Sequence, residues 1–422
     1  MTTILGLTAI VLWSLTAHRL SRWHIGAPVV MVVAGVVLGF LVGDEVAAAL
    51  NTLTAEFVAE IILAVLLFVD ATEVRGGRLF GNHPGTAARL LLVALPLSLA
   101  LAVGLGAVLL PDVPWPVLLV LACVVVPIDF APAEQVVRDR GLSARVRTVL
   151  NIEGGYNDGI VTPVFLFAMT LAGDRHQERT PLEALATVLP SAVKALVVGL
   201  LVGAATGWLM DRCASAGWMT GRSRRILVLV VPLLTFFTTV AVGGNGFVAS
   251  FVSGIAFRFA HRVFIARNVR AARQRGDTTE ALARSGRDLN LLEDVSAQLG
   301  MTMWLVVGTC AVLVIGWGFS WAALLFCLAA LTLIRAVPVL LALTGSPFTR
   351  RERLLVAALG PRGTTSIVFG LLAYNGLPDG VVADTILVVT VTCVLLSVVL
   401  HGLGAPLAHR FARGRAEPAS RG

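Results

Sequence analysis

Charge is scarce in this chain. Of its 422 residues only 14% are Asp, Glu, Lys or Arg, while 57% are apolar and the mean hydropathy is +0.87. That balance excludes an ordinary water-soluble domain of this length. Cysteine is sparse as well: Cys123, Cys213, Cys310, Cys327 and Cys393 form no C-x-x-C pair, and no histidine stands at ligand spacing. A disulfide framework and a structural zinc site are therefore not expected. The motif H-E-x-x-H is missing and the seven histidines lie near the ends of apolar runs or in loops, which leaves metalloprotease and His-dependent hydrolase chemistry without support. The net charge of +8 comes without aromatic residues interleaved among the basic ones, so no nucleic-acid partner is expected.

What the chain does have is long apolar runs. Reading runs of roughly 17–25 residues as spans predicts thirteen, centred near residues 10, 34, 63, 100, 126, 160, 200, 234, 252, 305, 331, 364 and 394. Arginines fall in alternate loops: Arg19 and Arg22, Arg75 to Arg89, Arg138 to Arg147, Arg212 to Arg225, Arg258 to Arg287, Arg350 to Arg353, and Arg410 onward; the loop after span 6 breaks the rule with Arg175 and Arg179, which Asp174 and Glu178 offset. Cytoplasmic loops are enriched in Lys and Arg, so the pattern predicts a multi-pass protein of the cell membrane with its N-terminus outside and its C-terminus inside. The first apolar run has no basic segment before it and arginines after it, as in a retained span rather than a cleaved signal. Lys194 is read as snorkelling to the outer surface, and Trp304, Trp317 and Trp321 as an interfacial belt or dimer contact.

Two spans carry a polar break among small residues and prolines: Pro127-Ile128-Asp129-Phe130-Ala131-Pro132 in span 5 and Gly360-Pro361-Arg362-Gly363-Thr364-Thr365 in span 12. They lie seven spans apart, and an odd offset makes two copies run oppositely through the bilayer. The predicted fold class is an all-α polytopic membrane protein of about 13 transmembrane helices, with inverted repeats and two discontinuous crossing helices. Residues 1–172 form the first half (spans 1–6), 173–215 a linking span 7, and 216–409 the second half (spans 8–13). The second half includes a cytoplasmic linker at 262–290, and residues 410–422 form a short cytoplasmic tail. At the breaks, Asp129 is placed to answer positive N-terminal helix ends in its half and Arg362 negative C-terminal ends in the other.

The strongest functional signal is a polar group in span 6: Asn151, Glu153, Asn157 and Asp158. A carboxylate at bilayer depth costs roughly a few kcal/mol, and survives mainly where it handles an ion, a proton or a partner charge. If span 6 begins near Thr148, Asp158 lies about ten residues in, or roughly 15 Å. Asp129, Glu153, Asp158 and Arg335 converge at that depth, with Arg362 beside them. A carboxylate reached alternately from two sides can hold a proton or a hard monovalent cation, hardly both, and competition for one seat is exchange. An arginine partner would hold such an acid ionised, so one acid should be free of arginine while another carries it. Glu153 is assigned to Arg335 as a structural ion pair and Asp158 is the exchanging carboxylate and the Na⁺ site; a buried pair of Asp158 with Arg362 is the alternative. One titrating acid implies one proton for one cation, an electroneutral cycle.

These residues resemble the monovalent cation/proton antiporters of the NhaP and Na⁺/H⁺-exchanger type. The likeness lies in Ile128-Asp129-Phe130-Ala131, a short basic loop, and Glu153-Gly154-Gly155-Tyr156-Asn157-Asp158-Gly159. It continues in Gly244-Asn245-Gly246 to Gly254, mid-helix Arg335 and Gly360-Pro361-Arg362-Gly363. The resemblance implies a homodimeric inverted-repeat antiporter with Asp158 as carrier, Asn157 ordering the crossing helices, and Glu153 paired to Arg335. Asn157, Asp129 and Glu153 complete the expected cation- and proton-binding set. Two oxygens usual in the family are replaced here by Ile128 and Gly154; Thr162, Thr364, Thr365, Ser366 or water would stand in for them, which leaves the order of Na⁺, Li⁺ and K⁺ open. The expected partners are the lipid bilayer and small monovalent cations, with no cofactor and no enzymatic activity, and the expected role is pH and salt homeostasis. A K⁺/H⁺ antiporter, an ion channel, an intramembrane enzyme and a transporter-like sensor remain as alternatives.

Overall fold

The computed structural model describes residues 2–23, 25–50, 52–73, 84–131, 142–173, 180–273, 278–378 and 380–403. Among them all regular structure is helical: α1 (Thr2–Arg22), α2 (Ala27–Leu50), α3 (Leu53–Glu73), α4 (Pro84–Leu109), α5 (Trp115–Val125), α6 (Ala144–Ala172), α7 (Pro181–Ser215), α8 (Gly221–Ala241), α9 (Gly246–Arg273), α10 (Thr278–Trp317), α11 (Trp321–Ala342), α12 (Arg350–Ala358), α13 (Thr364–Gly376) and α14 (Val381–Ser397). α12 and α13 are two halves of one predicted span, so these helices fill all thirteen predicted positions. Seven segments are long and apolar enough to cross a membrane by length and composition, within α4, α7 to α11, and Val381–His401. Those that fall short are short, broken or charged. α3 carries Glu56, Glu60, Asp70 and Glu73, and α6 carries Arg145, Arg147, Glu153 and Asp158. The second half of the first break, from Pro132, and the tail 410–422 lie outside the described residues. The predicted linker is helix where it is described, since α9 runs to Arg273 and α10 begins at Thr278.

Local chemistry sets several helix starts. Thr180 with Glu183, Thr220 with Ser223, and Thr349 with Glu352 each make a capping box, in which side chain and backbone satisfy one another's free amide. Ser320 caps α11 through the Ala323 amide. At the far end of α8, Lys194 donates to the Val242 carbonyl at 3.0 Å, a cation on the negative end of a helix.

The packing follows the seven-span offset. α2 lies along α10 as α9 lies along α3; α1 meets α2 as α8 meets α9; and α5 meets α6 as α13 meets α14. The two central half-helices, α5 and α13, are enclosed along most of their length: Val120 to Val125 and Ile367 to Phe369 are fully covered, Trp115 at the outer start of α5 is exposed, and the first turn of α13 is polar, with Thr364, Thr365 and Ser366 buried. At 11 and 13 residues they span only about 16–20 Å, so each stops inside the protein. Trp317 and Trp321 are exposed, as expected of an interfacial belt, but Trp304 is not: at 2% exposure it is core, because α10 is enclosed by α2, α3 and α14 at that level.

The α2–α10 crossing depends on glycine. A Cβ on Gly308 would lie 2.8 Å from the Gly35 Cα and 3.0 Å from the Val32 carbonyl carbon, backbone atoms that cannot step aside. Gly308→Val should therefore destabilise the protein by about 3 kcal/mol or more, at or beyond the upper end for overpacking. Thermal unfolding in detergent reads the effect, and a midpoint equal to wild type would rule out this close approach.

Candidate functional site

The two breaks meet each other. α5 ends at Val125, and residues 126–131 leave the helix at Pro127, which has no amide to continue it. α12 ends at Ala358, and after Leu359 to Gly363 the chain restarts as α13 with no side-chain cap from its own N-cap residue. The Asp129 amide donates to the Pro361 carbonyl at 2.9 Å, joining the breaks backbone to backbone.

Their free ends are satisfied crosswise. Asp129 Oδ2 accepts from the Thr364 amide at 2.6 Å, capping α13 from the opposite half, and Oδ1 accepts from the Ala131 amide at 2.8 Å. Arg362 donates through Nη1 to the carbonyls of Val126 and, at 2.9 Å, Pro127, and through Nη2 to the Ala330 carbonyl at 3.1 Å. The guanidinium thus serves the end of α5 in the first half and a carbonyl of α11 in the second. Its side chain is 1% exposed. Gly363 is required here, because a Cβ at that position would stand 2.9 Å from Asp129 Cβ and closer still to its carboxylate.

α6 crosses beside this junction. Its start is fixed by Ser143, whose Oγ accepts from the Val146 amide at 3.3 Å and donates to Glu352 at 2.8 Å, tying α6 to the first turn of α12. Two turns in, Glu153 takes both arms of Arg335: Nη1 to Oε1, and Nη2 to Oε2 at 2.9 Å, with Nη2 also on the Val356 carbonyl at 3.1 Å. This is a buried, bidentate pair. One turn on, Asn157 Nδ2 donates to the Ile128 carbonyl at 2.8 Å, and its Oδ1 accepts from the Asp158 amide at 2.6 Å. Asn157 therefore links α6 to the first break.

Asp158 differs from the other polar residues. It is 2% exposed, and its Oδ2 accepts from the Thr365 hydroxyl at 2.7 Å. Its Oδ1 is buried and, among the described residues, accepts no hydrogen bond, and Asp158 makes no ion pair among them, with Arg362 or otherwise. Both oxygens of Glu153 and of Asp129 are claimed, as are both polar ends of Asn157. Of the hydroxyls predicted near the site, Thr162 donates to the Asp158 main-chain carbonyl at 2.6 Å. Thr364 contributes its amide to Asp129, and the Ser366 hydroxyl is buried with no partner. A buried acceptor left unmatched is uncommon and calls for a reason.

Sequence reasoning did not find Ser397, fully buried on α14, whose Oγ accepts from the Arg362 amide at 2.7 Å, nor the carbonyls of Ala330 and Val356 that take guanidinium hydrogens. No residue type marks a backbone carbonyl, and a serine at the end of an apolar helix is unremarked in a linear reading.

A bundle of this kind, with two helix interruptions joined inside it and a buried carboxylate alongside, defines a multi-pass membrane transporter fold. The family model for the sodium/hydrogen exchanger, transmembrane, matches residues 5–408, and the chain belongs to that family. It is 24% identical over 409 residues to a K(+)/H(+) antiporter NhaP2 of Shewanella baltica, which covers 94% of this chain and 64% of that protein. With the NhaP2 of Shewanella oneidensis it shares 26% over 236 residues, 55% of this chain and 40% of the relative. With a Na(+)/H(+) antiporter of Schizosaccharomyces pombe it shares 23% over 337 residues, 76% and 67%. The chain thus spans less than two thirds of the length of both Shewanella relatives. The solved structure of the sodium proton antiporter MjNhaP1 from Methanocaldococcus jannaschii superposes with a TM-score of 0.72 at 22% identity, over 98% of this chain and 100% of that one. That likeness establishes the fold.

Removing one partner of a buried ion pair strands the other and costs about 3–5 kcal/mol, whereas replacing both with apolar groups of similar size is far milder. Glu153→Leu and Arg335→Met should each lower the thermal midpoint markedly, and the double variant less than either. Single variants as stable as wild type would show that the pair is not a closed, buried unit.

Proposed function

We propose that this protein is a secondary antiporter that exchanges a monovalent cation for H⁺ by alternating access, with Asp158 as the carrier. The reading rests above all on the Asp158 Oδ1: a carboxylate oxygen buried inside the protein that accepts no hydrogen bond among the described residues. Either a proton or a small hard cation answers that oxygen, and the two exclude one another. Family membership supports the same chemistry. Thr365 brings a hydroxyl from the opposite half to the carboxylate, so its lone pairs stand ready to join a ligand set with Asp158. Thr162 and Thr364 are the further hydroxyls of the site. Asn157, Glu153 with Arg335, and Asp129 with Arg362 hold the frame in which Asp158 works, Asp129 and Arg362 by neutralising the broken helix ends. With one free carboxylate the stoichiometry is one cation per proton, without net charge movement.

Na⁺ is the cation we assign first, with Li⁺ close to it. A K⁺/H⁺ exchange is the second reading, favoured by the Shewanella relatives, which are named K(+)/H(+) antiporters. We further assign the protein to the cell membrane with its N-terminus outside, as a homodimer of two-half protomers, 1–172 and 216–409 joined by 173–215, in pH and salt homeostasis.

In proteoliposomes with a preset pH gradient, additions of Na⁺, Li⁺ or K⁺ should move protons in wild type, and Asp158→Asn should abolish the response to every cation. The response should persist when valinomycin and K⁺ clamp the voltage. A variant as active as wild type would overturn the carrier assignment. Thr365→Val should raise the KM for the cation by about tenfold, the worth of one hydrogen-bonding ligand of about 1.4 kcal/mol, with a smaller effect on the maximal rate. An unchanged KM would remove Thr365 from the ligand set.

A further inference from the structure

Behind Arg362, on the side away from Asp129, runs a second line of polar groups. Ser397 Oγ accepts from the Arg362 amide at 2.7 Å. Its neighbour one turn on is His401, on the π-type turn Val398–Leu403 that continues α14, a wide turn of a kind common at functional sites. His401 Nδ1 lies 3.5 Å from Ser397 Oγ, and Nε2 lies 3.4 Å from the carbonyl of Ala358, the last residue of α12. Ser397 is fully buried, and His401, at the end of the apolar segment Val381–His401, is partly exposed. The line therefore joins both sides of the second break, the end of α12 and the approach to α13.

The direction of the line follows from donor counting. A carbonyl only accepts, so the nitrogen facing Ala358 must carry the hydrogen. A neutral imidazole has one donor and one acceptor, which makes Nδ1 the acceptor and the Ser397 hydroxyl its donor. Ser397 then receives the Arg362 N–H and passes its own hydrogen to His401. A second proton on the ring turns Nδ1 into a donor. The Ser397–His401 bond must reverse, Ser397 is approached by donors from two sides, and a new positive charge stands in the field of Arg362. The charged groups acting on His401 are Arg362 and Arg335. Of the helices that meet this turn, α2 has no ionisable residue over Ala27–Val42, α12 carries Arg350, Arg351, Glu352 and Arg353 at the end away from Ala358, and on α14 itself the ionisable residues are Cys393 and, at the far end, Asp384.

We infer that His401, acting through Ser397, is a positioning residue for the Arg362 break, and that protonating its ring loosens the crossing and slows the conformational step of exchange. The inference rests on the antiport reading but separates from it by kinetics. Proton competition at the carrier raises the cation KM and disappears at saturating cation. A fault at the break lowers the saturating rate itself.

The test is the pH profile of the saturating rate in proteoliposomes for wild type, His401→Gln and Ser397→Ala. Wild type should lose rate on acidification, approaching about tenfold per pH unit below the titration of a single group. His401→Gln keeps a donor for Ala358 and an acceptor for Ser397 but takes no proton. It should match wild type at alkaline pH and stay within about twofold down to the acid end, since at saturating cation the change removes the group whose protonation loosens the break. Ser397→Ala should be slow throughout, its residual rate without the acid fall. A His401→Gln profile identical to wild type would overturn the inference while leaving antiport intact; wild type without any cation-driven proton movement would overturn antiport itself. A readout independent of transport is the ¹⁵N spectrum of histidine-labelled protein, assigned by difference with His401→Gln. It should show the Nε2–H tautomer at neutral to alkaline pH, and an Nδ1–H tautomer there would also overturn the inference.

Discussion

A helix that stops inside a membrane leaves backbone groups with no water to meet them, and this constraint shapes the whole molecule. α5 ends with bare carbonyls and α13 begins with bare amides at the same depth. Each is closed by the charged residue of the other break, Asp129 on the amides of α13 and Arg362 on the carbonyls of α5. Among the described residues each interruption thus draws part of its hydrogen bonding from the other. That exchange holds the two breaks together, and the α2–α10 and α3–α9 pairings surround it.

That reciprocity explains how one acid stays uncommitted among so many charges. Arg335 is taken by Glu153 and a carbonyl, Arg362 by three carbonyls, and Asp129 by two amides. With these groups engaged, Asp158 is left with one oxygen that accepts no hydrogen bond among the described residues. From α13 the Thr365 hydroxyl donates to the other oxygen. In the proposed exchange, that weak, reversible bond couples Asp158 to the second break. An ion pair in its place would be stronger and would hold the acid ionised. The same economy extends behind Arg362, where Ser397 and His401 carry the hydrogen bonding onward to the end of α12.

Much of this was legible in the linear chain, because the bilayer imposes rules that composition obeys. Apolar runs, alternating arginines and the two proline-flanked breaks predict thirteen spans, and helices occupy those positions. The acids and arginines at bilayer depth stand out for the same reason, since their cost marks them. Trp304 misled because aromatic side chains suit both an interface and a core, and only its neighbours decide between them. The segment 262–290 stands out as a linker because its charges interrupt the apolar pattern, and helices α9 and α10 run through its described residues: a helix outside an apolar layer does not need an apolar face.

By itself the sequence determined how many times the chain crosses, where it breaks, and which ionisable residues lie deep, since each follows from the cost of placing a given side chain or a prolyl residue in an apolar medium. Which partner each of those residues takes was decided only by the tertiary structure. Asp129, Glu153 and Asp158 are equally acidic in the linear chain, and spacing on one helix separates faces without naming what stands opposite. The reach of Arg335 to Glu153, the crosswise caps and the unclaimed oxygen of Asp158 arise from helices far apart in sequence. Hydrogen bonds act over about 3 Å, and no linear pattern specifies a position that finely.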